Sequence, residues 1–182
     1  MKTIRETPDF VCEKLIGKVP ITDGSKILEP SVGDGKIVKY LMQKYTFKGL
    51  SINCFELNKE RVFTASDNLY PFRGIRETEI SVSQQDFLQA PIQPVYDIVI
   101  ACPPFKANID LQHIMKMYDM LKRKGILTTL TYPFWITNNE PLQKEFRKWL
   151  TTKEYQFEML PDNTFKEKDK NQPAAILTIY KK

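Results

Sequence analysis

Lys26-Ile27-Leu28-Glu29-Pro30-Ser31-Val32-Gly33-Asp34-Gly35 begins as a short apolar strand and runs into a turn with two glycines. Beyond it Ile37, Leu41 and Tyr45 recur at four-residue spacing, the mark of one helix face. A strand that enters a helix through a tight turn is half of a βαβ unit, and the chain repeats this alternation along its length.

Residues 50–56 form a second apolar run, followed by a helix over 58–69 whose first turn Asn58 can cap. A third strand falls at 80–82. Residues 96–101 are apolar on both faces after the first two positions, as a central parallel strand requires. The spacing predicts a helix over 109–124, closed by Gly125 and carrying Lys122, Arg123 and Lys124 in its last turn. A strand at 126–132 and a helix with Leu142, Phe146 and Leu150 on one face come next. Two final strands, 155–160 and 174–180, flank the charged segment 162–172, where no helix fits, so they are expected to pair as an antiparallel hairpin. An amphipathic opening helix at 8–18 presents Val11, Leu15 and Ile16. The expected fold is α/β, a mainly parallel sheet with a C-terminal antiparallel hairpin, in one domain over residues 1–182.

Composition narrows the function. Of 182 residues, 42% are hydrophobic and 27% charged, which excludes a disordered or collagen-like chain. No apolar run is long enough to cross a bilayer, and the start shows no secretory signal, so a cytoplasmic protein without membrane association is expected. Three widely spaced cysteines, Cys12, Cys54 and Cys102, and a single histidine, His113, support neither a disulfide framework nor a metal site. His113 falls within the helix expected at 109–124 and is taken as a surface or packing residue. The 27 basic and 22 acidic residues leave a net charge of +5, which permits a polyanionic partner without requiring one.

In a doubly wound sheet, ligands bind beyond the carboxyl ends of the strands. After the first strand, Gly33 and Gly35 either let the backbone approach a ligand at the next helix N-terminus or merely serve the turn. Glu56, 21 residues after Gly35, ends the second strand, where a carboxylate can accept hydrogen bonds from both ribose hydroxyls. Asp86 follows the third strand and is placed either to accept from an adenine amine or to cap a helix. Val38 stands where a dinucleotide fingerprint would have its third glycine, which favours a cofactor without a pyrophosphate. After the central strand, Cys102-Pro103-Pro104-Phe105 stiffens the chain and fixes the direction of an aromatic ring, a stacking surface or a core residue.

Together these segments resemble the class I S-adenosylmethionine-dependent methyltransferases, in particular their adenine-N6 DNA branch. Residues 27–35 are similar to that family's first cofactor motif, Phe55-Glu56 to its ribose-binding acid, and Asp86-Phe87 to its adenine-contacting motif. Thr7-Pro8 is similar to the segment over the cofactor's methionine part, and residues 160–166 to the last hairpin. The resemblance implies a Rossmann-like seven-stranded methyltransferase fold that binds S-adenosylmethionine. Thr7, Glu29, Pro30, Gly33, Asp34, Gly35, Glu56, Leu57, Asp86 and Phe87 would bind the cofactor, with Glu29 or Asp34 at the methionine end. Cys102, Pro103, Pro104 and Phe105 would form the acceptor side, and DNA would be the partner.

Two departures from the family carry weight. Cys102 stands where the family has Asn or Asp, and a thiol is a weaker hydrogen-bond acceptor on a shorter side chain. The loss of one such partner lowers rate by roughly 10²–10³. Cys102 precedes its prolines, the reverse of the order in cytosine-C5 enzymes, so it is not read as a nucleophile. No separate target-recognition domain is expected after the last hairpin, so sequence readout would come from a partner protein or from loops. Lys166, Lys168 and Lys170, and the run Lys122-Arg123-Lys124, could touch phosphate or simply be solvated. The alternatives are a degenerate cofactor-binding subunit or regulator, and a methyltransferase acting on RNA or protein.

Overall fold

The computed structural model describes residues 7–105, 108–162, 164–167 and 170–182; of residues 166, 167, 170 and 171 it describes the backbone alone. The N-terminal start and Lys168 lie outside the described residues, and Lys166 and Lys170 outside the described side chains.

Helix α1 (Asp9–Gly17) leads into β1 (Lys26–Glu29), α2 (Lys36–Lys44), β2 (Ser51–Glu56), α3 (Lys59–Leu69) and β3 (Glu79–Gln84). Then come β4 (Tyr96–Ala101), α4 (Ile109–Met120), β5 (Leu121–Thr131), α5 (Pro141–Leu150) and β6 (Glu154–Met159). The short strands β7 (Phe165–Glu167) and β8 (Lys170–Gln172) precede β9 (Ala175–Tyr180). Seven strands form one sheet in the order β3-β2-β1-β4-β5-β9-β6, parallel from β3 to β5. Strand β9 inserts antiparallel between β5 and β6, so the expected terminal hairpin is present as the pair β6–β9. The charged connection between them contains the two-stranded ribbon β7–β8. This is the expected Rossmann-like α/β fold.

Alternation along the strands builds two apolar layers. Ile27, Ile52, Ile98 and Ile100 face a cluster with Val11 and Leu15 of α1, Leu41 of α2 and Leu69 of α3. Their neighbours Leu28, Val99, Leu127 and Leu177 face Leu111, Ile114 and Met117 of α4 and Phe146 of α5. Strand β4 contributes to both layers, which accounts for its apolar sequence.

Two boundaries differ from the sequence expectation. Helix α4 stops at Met120, and the basic run 122–124 belongs to β5, not to a last helical turn. Leu121 is fully buried and pairs with Tyr96 of β4, which draws the chain into the sheet. The cation that caps α4 comes from the far end of the sequence: Lys181 Nζ donates to the carbonyls of Tyr118, Asp119 and Leu121. Gly125 is therefore no helix cap; a Cβ there would sit 2.9 Å from the Lys122 carbonyl oxygen, so only glycine fits the bend. Helix α2 ends at Lys44, before Tyr45, whose extended backbone lets its ring stack on Phe47. Arg76 caps that end, donating to the carbonyls of Met42, Tyr45 and Phe47.

Candidate active site

The sheet order reverses between β1 and β4: the chain winds outward from β1 through β2 to β3, then returns to lay β4 on the other side of β1. Such a reversal opens a crevice at the carboxyl ends of the two strands, because their connections leave in opposite directions. A cavity of about 740 Å³ lies there, large enough for a nucleoside-sized ligand.

The turn after β1 forms its floor. Gly33 has φ +56° and Gly35 φ +88°, left-handed values that favour glycine. Pro30, Gly33 and Asp34 line the cavity. Gly35 does not; it starts α2, and a Cβ on it would meet the Leu69 side chain at 3.1 Å. Glu29 also stands behind the wall, 1% exposed, its Oε1 accepting the Ser31 amide at 3.2 Å. Its Oε2 is buried with no hydrogen-bond partner among the described residues. Burial pushes the Glu29 carboxyl up to about 8, against the opposing pull of the Ser31 amide.

The carboxyl end of β2 brings Glu56 into the wall. Its Oε2 accepts the Gly33 amide at 3.1 Å and its Oε1 the Asn58 amide at 2.9 Å. Each carboxylate oxygen keeps a lone pair, so two further donors can be accommodated. Leu57 beside it is 66% exposed, an apolar surface at the cavity that a flat ring would cover. Asn58 caps α3 by accepting the Arg61 amide, as its position suggests. After β3, Asp86 lines the cavity while its Oδ1 accepts the Leu88 amide at 2.9 Å, so it caps the short turn that seats Phe87. Both roles open to Asp86 are thus geometrically compatible.

After β4, Cys102, Pro103, Pro104 and Phe105 all reach the cavity. The Phe105 ring stacks on Tyr132 with centroids 4.1 Å apart, and Tyr132 meets Phe134 edge-on at 6.1 Å. Asp110, buried in the first turn of α4, fixes this ladder by accepting from Thr131 Oγ1 at 2.9 Å and the Tyr132 amide at 3.3 Å. Thr7 and Phe165 line the same cavity.

Twelve of the fourteen residues expected at the site thus share one wall, and Glu29 and Gly35 support it from behind. Further lining residues had no local signal as site residues, among them Arg61, Phe165 and His113. Arg61 enters from α3, Phe165 from the ribbon, and His113 from α4. His113 is a packing residue rather than a surface one: its Nδ1 lies 3.3 Å from Ser31 Oγ, and its ring lies against Phe87 at 5.3 Å. Burial pushes it down to about 4, partly countered by Asp86. The basic run 122–124 starts β5, at the end of the sheet remote from the cavity, and Lys122 is ion-paired with Asp97.

No protein-family model matches the sequence, and no curated protein does. Solved structures do match. A putative class I S-adenosylmethionine-dependent methyltransferase from Listeria monocytogenes superposes with a TM-score of 0.76 at 16% identity, covering 99% of this chain and 63% of that one. This chain therefore spans less than two thirds of the Listeria protein. An S-adenosylmethionine-dependent O-methyltransferase from Thermotoga maritima matches with a TM-score of 0.69 at 16% identity, over 100% and 68% of the two chains. The modification subunit of a putative type I restriction enzyme from Vibrio vulnificus gives 0.75 at 14% identity, over 97% and 44%. What this chain shares with all three is the fold, a Rossmann-like α/β sheet of the methyltransferase type.

Proposed function

We propose that the chain binds S-adenosylmethionine at the β1/β4 crevice and transfers its methyl group to the exocyclic N6 amine of adenine in DNA. The observation that carries this reading is the convergence on one cavity of a glycine turn, a strand-end carboxylate with spare acceptor capacity, and a proline-stiffened aromatic. Glu56 accepts the ribose hydroxyls, Leu57 and Phe87 cover the adenine, and Asp86 accepts its amine. Asp34, which faces the cavity, holds the methionine end together with Thr7. Glu29 acts through the Ser31 amide it fixes. The residues present fit the group, since the exposed face of Leu57 and the spare acceptors of Glu56 are what a nucleoside would satisfy. When bound there, the cofactor would supply an activated methyl on a sulfonium for the amine, with a thioether as leaving group and one proton released.

The chain's own contribution is then positioning and exclusion of water rather than strong base catalysis. Phe105, held by Tyr132 and through it by Asp110, presents a flat surface on which an extruded base stacks. That aromatic ladder favours a nucleobase over a protein side chain, and the resemblance of Cys102-Pro103-Pro104-Phe105 to the adenine-N6 branch supports DNA as the acceptor. Cys102 favours one second reading, a cofactor-binding subunit without turnover, because its thiol accepts the target amine weakly.

Transfer of labelled methyl to unmethylated DNA tests both readings. Label on adenine is expected from the natural chain, increased by roughly 10²–10³ in Cys102→Asn and abolished in Glu56→Ala. Label from Cys102→Asn alone would establish the subunit reading. Silence from both on DNA, with label on RNA or protein, would overturn the proposed acceptor.

A further inference from the structure

Arg61 lines the cavity together with Lys36 and the carboxylates Asp34, Glu56 and Asp86. It leaves the first turn of α3 and lies over the turn after β1: a Cβ added to Gly33 would come within 3.3 Å of its Nη2. A side chain at position 33 would therefore crowd the guanidinium and push it aside by a few tenths of an ångström. Its Nε is 3.6 Å from Asp34 Oδ1, and its Nη1 is 3.7 Å from Glu56 Oε2. Both separations are ion-pair rather than hydrogen-bond distances, and Nε is buried with no hydrogen-bond partner among the described residues. The arrangement places positive charge between the turn after β1 and the acid after β2 without using the lone pairs of Glu56 that face other donors.

We infer that Arg61 is a positioning residue: by bridging Asp34 and Glu56 it fixes the angle at which Glu56 presents its free lone pairs to a ribose. This rests on the cofactor reading above and extends it to a residue of the cavity wall that acts on the ribose through Glu56. The two backbone amides, one on each oxygen, restrain the Glu56 carboxylate but leave it able to tilt about a broad terminal torsion. A third restraint from a planar cation narrows that motion, and arginine suits it because its fork spans two carboxylates at once. The Gly33 amide, donating to the same Glu56 oxygen, ties the turn into the same unit.

Calorimetric titration with S-adenosylhomocysteine and with its 2′-deoxyribosyl analogue, alongside thermal unfolding, tests the inference. Arg61→Gln is expected to weaken S-adenosylhomocysteine about tenfold, a loss of about 1.4 kcal/mol, with the melting temperature within about 2 °C of the natural chain. In a Glu56→Gln background, or against the 2′-deoxyribosyl analogue, the same substitution is expected to cost less than about twofold. Arg61→Lys should recover part of the loss. Equal losses with and without Glu56, or equal losses for both ligands, would overturn the inference and leave the cofactor reading standing. No binding of S-adenosylhomocysteine by the natural chain would overturn both.

Discussion

Glu29 and His113 are both buried at the cavity and both lean towards their neutral forms, for the same reason: removal from water disfavours charge. Their consequences for stability run in opposite directions with pH. The Glu29 carboxyl is raised in the fold, so its favourable contribution is complete below the ordinary carboxylate range and is lost as pH climbs to about 8. Glu29→Gln keeps an acceptor for the Ser31 amide and cannot ionise. Relative to the natural chain it should gain on the order of 2–4 kcal/mol between pH 5 and pH 8, read by urea denaturation at each pH. A pH-independent difference would contradict the burial argument. The His113 imidazole is lowered, so its contribution is complete above its ordinary value of 6.5 and is lost as pH falls towards 4. The groups around it are Asp86, which favours protonation, and Lys116, which opposes it, with Ser31 and Phe87 in contact. His113→Gln should flatten the loss of stability between pH 6.5 and pH 4.5 by roughly 1–3 kcal/mol, visible as a smaller shift in urea midpoint.

At the scale of elements, most boundaries were legible because period and flanking residues agreed. Residues 26–29 alternate into a glycine turn, and β4 is apolar on both faces, as a strand feeding two core layers must be. The α4/β5 boundary was not legible, because the residues that decide it are remote in sequence. Lysines followed by glycine look locally like a helix end, but Tyr96 claims Leu121 as a strand partner and Lys181 provides the cap. Gly125 consequently serves a close approach inside β5 rather than a cap. Gly125→Ala should lower stability by about 1–3 kcal/mol in thermal unfolding, since its Cβ would press on the Lys122 carbonyl. A helix cap would instead give a smaller loss, restored by Asn.

For the whole molecule, the strand order is what turns scattered residues into a site. The sequence places Gly33, Glu56, Asp86 and Phe105 after four different strands, and the reversal between β1 and β4 brings them to one cavity. Arg61, Phe165 and His113 could not be placed there from spacing, since each arrives on an element whose orientation is set by packing. The same topology separates the basic run 122–124 from the site, because a parallel strand has its start and its functional end on opposite sides of the sheet. The claim on which the rest depends is that Glu56 seats the ribose of S-adenosylmethionine, and calorimetric titration of the natural chain and Glu56→Ala with that ligand addresses it directly. Saturable binding to the natural chain, weakened at least about tenfold in a normally folded Glu56→Ala, is the predicted result. Equal affinity in the two chains, or no binding to the natural one, would contradict it.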